Sequence, residues 1–467
     1  MKKDSNKSRR SFIKKLGISA PLIAGAPTLL SAQKPENFYI LKPRSKVPAN
    51  DRIQLACIGM GIMGFGDVKS ALTTEGVELV SVADCYTGRL TRTKEVFGDQ
   101  IKTTRNFREI LDDPGVDGII IATSDHWHNR IANEAMRKGK AVYCEKPMVQ
   151  HIEEGAEVIK VEQETKVSFQ VGSQYASSIL YQKAKELYKA GEIGELNFAE
   201  AYFDRFSAIG AWQYSIPPDA SKETIDWDMF LGDAPKVPFD PVRFFRWRNY
   251  RDYGTGIPGD LFVHLFTMLH TITGSVGPNR IYATGGLRYW EDGRDVADVT
   301  LGLLDYPETE YHPAFNLALR VNFVDGSGGS SFTRLVGSEG SIELRSNSIT
   351  LRKKKLPKAP GYTNWESYGT FPEKIQGEFL EEYNEKYGDI KPELVPPGEM
   401  TYATPEGYDM RDDHFANWFH VMRHGGTTIE GAVFGMRAAG PALAANVSLY
   451  ENKIVHWDPQ NMQMTQV

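Results

Sequence analysis

Beginning at Arg52, short apolar runs alternate with amphipathic segments, and the order of the two types carries the fold. Residues 52–58 predict a buried strand, 62–73 a helix, 77–83 a second strand and 88–97 a second helix. The alternation continues with a short strand near Lys102, a helix over 107–111, a strand over 118–122, a helix over 128–137, a strand over 141–144 and a helix over 152–164, and residues 167–171 close the series. Strands separated by helices make a parallel sheet covered on both faces. Past Gly172 the grammar changes. After a helix over 179–190, segments 196–206, 280–287, 296–305, 316–323, 331–336 and 341–344 alternate apolar and polar residues at period two, as antiparallel strands with one covered face do. Residues 226–251 are rich in Trp, Phe, Arg and Pro, 261–272 return to helical spacing, and 353–409 are turn-rich, which predicts a long surface excursion. Helices over 414–423 and 430–450 finish the chain. The expectation is an α/β domain over 51–171, followed over 172–467 by an α+β domain with a large, mostly antiparallel sheet and C-terminal helices.

Composition changes this picture mainly at the N-terminus. The 467 residues are 41% hydrophobic and 24% charged, as in a globular protein, and only 3 Cys exclude a disulfide scaffold. Cys57, Cys85 and Cys144 fall at strand ends and read as small buried residues. The net charge of -6 repels a phosphate backbone and argues against nucleic acid as a partner. Residues 1–32, however, hold seven bases and one acid, and an apolar stretch over 16–30 follows the bases. The run Ser8-Arg9-Arg10-Ser11-Phe12-Ile13-Lys14-Lys15 resembles a twin-arginine export signal, with cleavage near Ser31-Ala32-Gln33 and a linker over 33–50. Pro21 and Pro27 interrupt an apolar stretch shorter than the roughly 20 residues a membrane span needs, so no stable insertion follows. Removing 1–32 takes 54 bases to 47 and 60 acids to 59, a charge of -12 on a periplasmic protein.

The first strand runs into Gly59-Met60-Gly61-Ile62-Met63-Gly64, a G-x-G-x-x-G at the opening of a helix. Such glycines permit a tight turn, close approach of backbone to a pyrophosphate, and packing of helix on strand, while the helix N-terminus supplies N–H groups. Asp84 stands at the end of the next strand, where a carboxylate accepts the ribose hydroxyls of an adenosine and repels a 2'-phosphate. The domain over 51–171 therefore reads as a Rossmann fold binding NAD, with Arg89 and Arg92 leaving NADP open.

The segment over 117–147 contains Thr123-Ser124-Asp125-His126-Trp127-His128 and ends in Glu145-Lys146-Pro147. It closely resembles the Gfo/Idh/MocA oxidoreductases, and the resemblance extends over about 51–350 and the C-terminal helices. Gly172 with Gln174 falls where that family begins its second domain, and Gly191-Glu192-Ile193-Gly194-Glu195-Leu196 matches its strand-entry turn. The run from Gly254 to His264 is similar to the family's Gly-rich lead into Asp-x-x-x-His, with Phe262 where many members carry Gly. The resemblance implies that Thr123, Trp127, His128, Glu145, Lys146, Pro147 and Gln174 sit at the cofactor, with Pro147 holding its peptide beneath the nicotinamide in a cis bond.

Read from their chemistry, the same residues make a dehydrogenase site. A His suits removal of the proton from a substrate hydroxyl as its carbon gives up hydride. His264 lies four residues after Asp260, so on one helix face a carboxylate can fix its tautomer, although the spacing alone also describes an ordinary surface pair. Lys146, at the C-terminal end of a parallel strand, can stabilise developing alkoxide charge. Tyr175, Trp212, Arg246, Trp247, Arg248 and Tyr250 offer aromatic planes and guanidinium forks to a sugar ring, or serve interdomain packing. No metal is expected from His126, His128 and Asp125. Arg352 to Lys355 reads as a solvated charge run. These features describe an enzyme transferring hydride between NAD and a secondary hydroxyl of a sugar, glycoside or cyclitol. Exported folded, it would have to keep one bound NAD, which opens an alternative: redox-neutral glycoside cleavage with internally recycled cofactor. A third reading is a non-catalytic sugar-binding protein. A sheet with one covered face implies a homodimer or homotetramer.

Overall fold

The computed structural model describes residues 52–390 and 398–465; the segments expected to be an export signal, its cleavage site and a linker lie outside them. The first domain holds β1 (Ile53–Ile58), α1 (Ile62–Ala71), β2 (Val77–Ala83), α2 (Thr87–Phe97), β3 (Lys102–Thr104), α3 (Phe107–Asp112), β4 (Gly118–Ile121), α4 (His128–Arg137), β5 (Ala141–Glu145), α5 (Gly155–Thr165) and β6 (Phe169–Gly172). All six strands are parallel in the order β3-β2-β1-β4-β5-β6. Their apolar runs are continuous because helices cover both faces: every residue of β4 and β5 is buried. The strand order reverses between β1 and β4, and the Gly-rich turn leaves β1 at that point, where open α/β sheets bind ligands.

The second domain begins with α6 (Ile179–Lys189), started by the Ser178 side chain accepting from the Leu180 N–H, and β7 (Leu196–Phe203). Then come α7 (Trp227–Leu231), α8 (Pro241–Phe245), one π turn over Pro258–Phe262, α9 (Val263–Thr273), β8 (Arg280–Gly286), β9 (Val299–Tyr306), β10 (Phe315–Asn322), β11 (Ser331–Gly337) and β12 (Gly340–Arg345). The chain ends with β13 (Ser348–Lys353), α10 (Glu373–Tyr387), β14 (Glu399–Ala403), α11 (Met410–His424), α12 (Ala432–Glu451), β15 (Val455–Asp458) and β16 (Gln463–Thr465). The ten strands form one sheet in the order β14-β13-β12-β11-β7-β10-β9-β8-β15-β16. Period two is visible in its burial: Leu317, Leu319 and Val321 of β10 point into the core against α9 and α12, while Leu303 of β9 faces outward and is 60% exposed.

Three expectations change. The strand expected over 196–206 ends at Phe203 and pairs parallel, not antiparallel, with β10. The expected excursion over 353–409 contains a helix and an edge strand, so only part of it is irregular. The C-terminal helices do not all serve the second domain: Phe415, Trp418 and Phe419 of α11 pack with Leu55, Ile120 and Tyr143 of the parallel sheet, with Phe415 stacked on Tyr143 at 4.2 Å. His414 ties this helix to the interdomain strand, its Nδ1 meeting Ser177 Oγ at 2.6 Å and its Nε2 the Val171 carbonyl at 2.8 Å.

Candidate functional site

A cavity of about 380 Å³ opens above the C-terminal ends of β1, β2, β4 and β5 and runs under the loops of the second domain. Its first end is built by the Gly-rich turn. Gly59 has φ +94°, and a Cβ there would lie 2.5 Å from the Ala122 carbonyl oxygen; a Cβ at Gly64 would lie 2.0 Å from the Gly59 carbonyl oxygen. These two glycines let the turn close and let α1 seat on β1. Gly61 is different, since a Cβ there would meet nothing nearer than the Arg89 guanidinium at 3.9 Å. Gly61 also begins α1 without a side-chain cap, so the first-turn N–H groups stay open to the cavity beside Ile62 and Met63. An uncapped helix N-terminus against an open backbone is a cradle that a pyrophosphate fits.

Asp84 lines this end, but its carboxylate is partly engaged. Oδ2 accepts from the Met60 N–H and Oδ1 from the Tyr86 N–H, both at 2.8 Å, and Arg89 Nη1 stands at 3.4 Å from Oδ2. Asp84 thus ties the Gly-rich turn to β2, with lone pairs to spare for a ribose. Arg89 is held over the Phe244 and Phe245 rings, and Arg92 pairs with Glu95 on the surface, outside the cavity lining. Neither stands as a free 2'-phosphate ligand.

Between the ends, the Lys146-Pro147 peptide is cis, as the family resemblance implied. His128 braces it: its Nδ1 lies 2.7 Å from the Pro147 carbonyl and its Nε2 3.3 Å from the Thr123 carbonyl. Burial lowers the His128 pKa to about 4, so the ring is neutral and donates from one nitrogen only. Trp127 Nε1 donates to the Phe230 carbonyl, fixing the indole in the wall. Glu145 accepts from Gln174 Nε2 at 2.6 Å. Burial raises the Glu145 pKa to about 7 against the pull of Lys146 and Gln174, and burial first and Glu145 next raise the neighbouring Asp67 carboxyl.

At the far end Lys146, Asp260 and His264 meet. Lys146 Nζ donates to the Asp260 carbonyl at 2.8 Å and to its Oδ1 at 2.9 Å, and Arg248 Nε donates to the same Oδ1 at 3.2 Å. Burial would raise the Asp260 carboxyl, but Lys146 and Arg248 outweigh it and hold the group well below the usual carboxylate range. The expected Asp260–His264 bond is absent among the described residues. Asp260 lies in the π turn and spends its carboxylate on Lys146 and Arg248, while His264 belongs to the α-helix that follows and its buried Nδ1 has no partner. Burial first, and Lys146 next, lower the His264 pKa to about 3.

Tyr175, Trp212 and Arg248 line this end. Arg246 and Tyr250 do not, which corrects their assignment as sugar contacts. Arg246 Nε donates to the Tyr214 carbonyl at 2.9 Å and braces that loop from behind, and Tyr250 is buried under Arg243 in an aromatic cluster with Tyr253. Gly64 and Pro147 also stay out of the lining and act through packing and backbone. Among the residues given no site role from sequence, Arg205 and Tyr214 belong to the cavity, and so does Asp125, which lies inside the Thr123–His128 motif. Asp125 Oδ2 accepts from the Thr255 N–H and hydroxyl at 3.0 and 2.8 Å, and burial raises its pKa to about 7. No cluster of three metal-ligating side chains occurs among the described residues.

Fold and cleft define a two-domain dinucleotide-binding protein. Residues 53–173 match the family model of the Gfo/Idh/MocA proteins, described as an oxidoreductase family with an NAD-binding Rossmann fold. The chain is 32% identical over 145 residues to scyllo-inositol 2-dehydrogenase (NAD(+)) of Bacillus subtilis, covering 31% of this chain and 42% of that protein. It is 23% identical over 236 residues to glycosyl hydrolase family 109 protein 1 of Akkermansia muciniphila, covering 43% and 48%. The chain thus spans less than half the length of these curated relatives. Among solved structures, levoglucosan dehydrogenase in complex with NADH and L-sorbose superposes with a TM-score of 0.63 at 16% identity, over 87% of this chain and 98% of that one, a likeness of fold.

Proposed function

We propose that the chain is an NAD-dependent oxidoreductase moving a hydride between bound nicotinamide and a secondary hydroxyl of a sugar, glycoside or cyclitol. One observation carries the reading: the Gly-rich cradle, Lys146, Asp260 and His264 line a single cavity at the switch point of the parallel sheet. NAD, when bound, supplies the hydride acceptor; Gly61, Ile62 and Met63 would hold its pyrophosphate and Asp84 its ribose. The names of the relatives, an inositol dehydrogenase and a levoglucosan dehydrogenase, support a polyhydroxylated ring as substrate.

This chain's residues divide the remaining work. His264, neutral at physiological pH, takes the hydroxyl proton on its imidazole. The Lys146 ammonium hydrogen-bonds the reacting oxygen and stabilises the charge that develops there. Asp260 positions Lys146 through two bonds. His128 holds the cis turn that aims Lys146. Purified protein tested with glycosides should build up absorbance near 340 nm. Sugar binding without absorbance change or cleavage would remove every enzymatic role.

Asp125 favours a second reading, redox-neutral glycoside cleavage with NAD kept on the protein. A carboxyl with a pKa near 7 in the cavity wall is poised to exchange a proton at neutral pH, and the matched glycosyl hydrolase family 109 proteins bear hydrolase names. Cleaved product without net NADH would select it. The proposal includes export of the folded holoprotein through residues 1–32, tested by fractionating cells that carry Arg9→Lys and Arg10→Lys. It also includes pairing of subunits through the outward sheet face, tested by light scattering.

A further inference from the structure

Arg205 stands in the cavity wall just past the end of β7 and is not used by the mechanism above. Its guanidinium lies 5.1 Å from the Phe203 ring centre and 5.4 Å from that of Phe323, and Nη1 donates to the Gly210 carbonyl at 2.8 Å. The group is therefore oriented by three contacts rather than swinging on a flexible stem. Among the described residues it has no carboxylate partner. The acid next to it in sequence, Asp204, is committed to Arg320. From its place in the wall its charge reaches Asp260, His264, Tyr175 and Tyr214, which border the same space.

The charge balance at this end is uneven. Lys146, Arg248 and Arg205 contribute three cations, and Asp260 is the one carboxylate held fully ionised. Asp125 and Glu145 are each pushed up to about 7 by burial, so neither supplies a full counter-charge at neutral pH. At the opposite end of the cavity Arg89 stands beside Asp84, and Arg105, also in the lining, donates to the Glu223 carbonyl. A partly desolvated guanidinium without an anion is costly, and its planar fork matches a carboxylate better than it matches a hydroxyl.

Resting on the oxidoreductase reading, we infer that the substrate is an acidic sugar, a uronic acid or a glycoside of one, whose carboxylate docks on Arg205 while a ring hydroxyl is presented to Lys146 and His264. The ring then lies along Tyr214, and the carboxylate meets the Arg205 fork, which is oriented by its contacts and has no carboxylate partner among the described residues. A site built around such a fork discriminates strongly against the neutral analogue, because the cation stays unpaired when that analogue binds.

The test compares matched methyl glycosides and methyl uronides of gluco, galacto and manno configuration on the NAD-loaded protein. Calorimetric affinity is measured alongside NADH formation. The inference expects at least one uronide to bind ten-fold or more tighter than its neutral partner. It also expects Arg205→Gln to erase most of that ratio while Arg205→Lys, which keeps the charge, retains part of it. Oxidation of neutral glycosides with kcat/KM equal to or above their uronides would overturn the inference and leave the dehydrogenase reading standing. Equal affinity within every pair would also overturn it, as would a ratio indifferent to Arg205→Gln. Tight uronide binding with no NADH from any sugar would instead support the carboxylate site and count against the dehydrogenase.

Discussion

At the cofactor end of the cavity the wall is made of backbone. The open N–H groups of α1 and the turn at Gly59 border this end, and its acid, Asp84, is itself bonded to the Met60 and Tyr86 N–H groups with Arg89 beside it. At the substrate end the wall is made of side chains: Lys146 from β5, Asp260 and His264 from the π turn and α9, Arg205 from the end of β7, and Trp212, Tyr214 and Arg248 from loops. A pyrophosphate is recognised by backbone N–H groups whatever the neighbouring side chains, so a fixed backbone cradle suits it. The substrate differs between related proteins, and side chains on loops can change without disturbing the sheet.

The sharpest way to separate the ends is to remove side chains from one of them. Lys146→Ala and His264→Ala should each lower kcat/KM by about a hundredfold or more, about 2.7 kcal/mol of transition-state stabilisation, while NAD still binds. Steady-state rates and NAD calorimetry check this together. Loss of NAD binding equal to the loss of rate would show that the two ends are not separate.

The cofactor end should fail in the opposite way, through the backbone. Gly64→Ala drives a methyl group to 2.0 Å from the Gly59 carbonyl, which only a backbone shift relieves. An overpacked core position costs about 1–3 kcal/mol, so Tm should fall by several degrees along with NAD affinity. Gly61→Ala adds a methyl group where no atom lies within 3.9 Å. Its Tm should stay unchanged, and its NAD affinity should fall by about tenfold, about 1.4 kcal/mol, because the methyl group stands where the pyrophosphate must approach the backbone. A Gly61→Ala variant that lost stability but kept NAD would place the pyrophosphate elsewhere.

The same contrast explains how much the sequence revealed. Gly59 and Gly61 of the Gly-rich turn, Asp84 and Glu145-Lys146 belong to local patterns whose meaning follows from their place after a strand, so their positions in the cavity were legible. Arg205 and Tyr214 come from separate stretches and carry no pattern of their own, and nothing in its motif says that Asp125 turns into the cavity; only tertiary packing brings the three to one wall. Arg246 and Tyr250 were misplaced for the same reason. They share a Trp- and Arg-rich stretch with Arg248, and sequence alone does not say which of the three turns inward. The i,i+4 spacing of Asp260 and His264 misled because a π turn ends between them. Strand β13 alternates Ile349 and Leu351 but ends in the bases of 352–355, and the charge run hid it; Arg352 pairs across strands with Glu343 and Glu399. Helix α11 reads as amphipathic, yet nothing local says that Phe415 and Trp418 return to the first sheet.

The smallest expected effect sets two of the cavity's buried acids, Asp125 and Asp84, against each other. Asp125 has its pKa raised to about 7 by burial, far above the roughly 3.9 of an unfolded Asp. Between those values the folded state holds a proton that the unfolded state lacks. The stability this gives is complete below about pH 4 and is lost as pH rises through 7. Asn in its place keeps an oxygen that can accept both Thr255 donors and never ionises. Asp125→Asn should therefore gain on the parent protein as pH goes from 5 to 8, with the Tm difference widening by roughly 2–4 °C for each kcal/mol released. Asp84→Asn should behave otherwise. Both Asp84 oxygens accept backbone N–H groups, so the new amide sets a donor against a donor, and the variant should be less stable than the parent at every pH. A Tm difference for Asp125→Asn that stays flat from pH 5 to 8 would mean that Asp125 is ionised in the folded protein throughout. The substrate end would then hold a second full negative charge, and the contrast with the cofactor end would rest on its side chains alone.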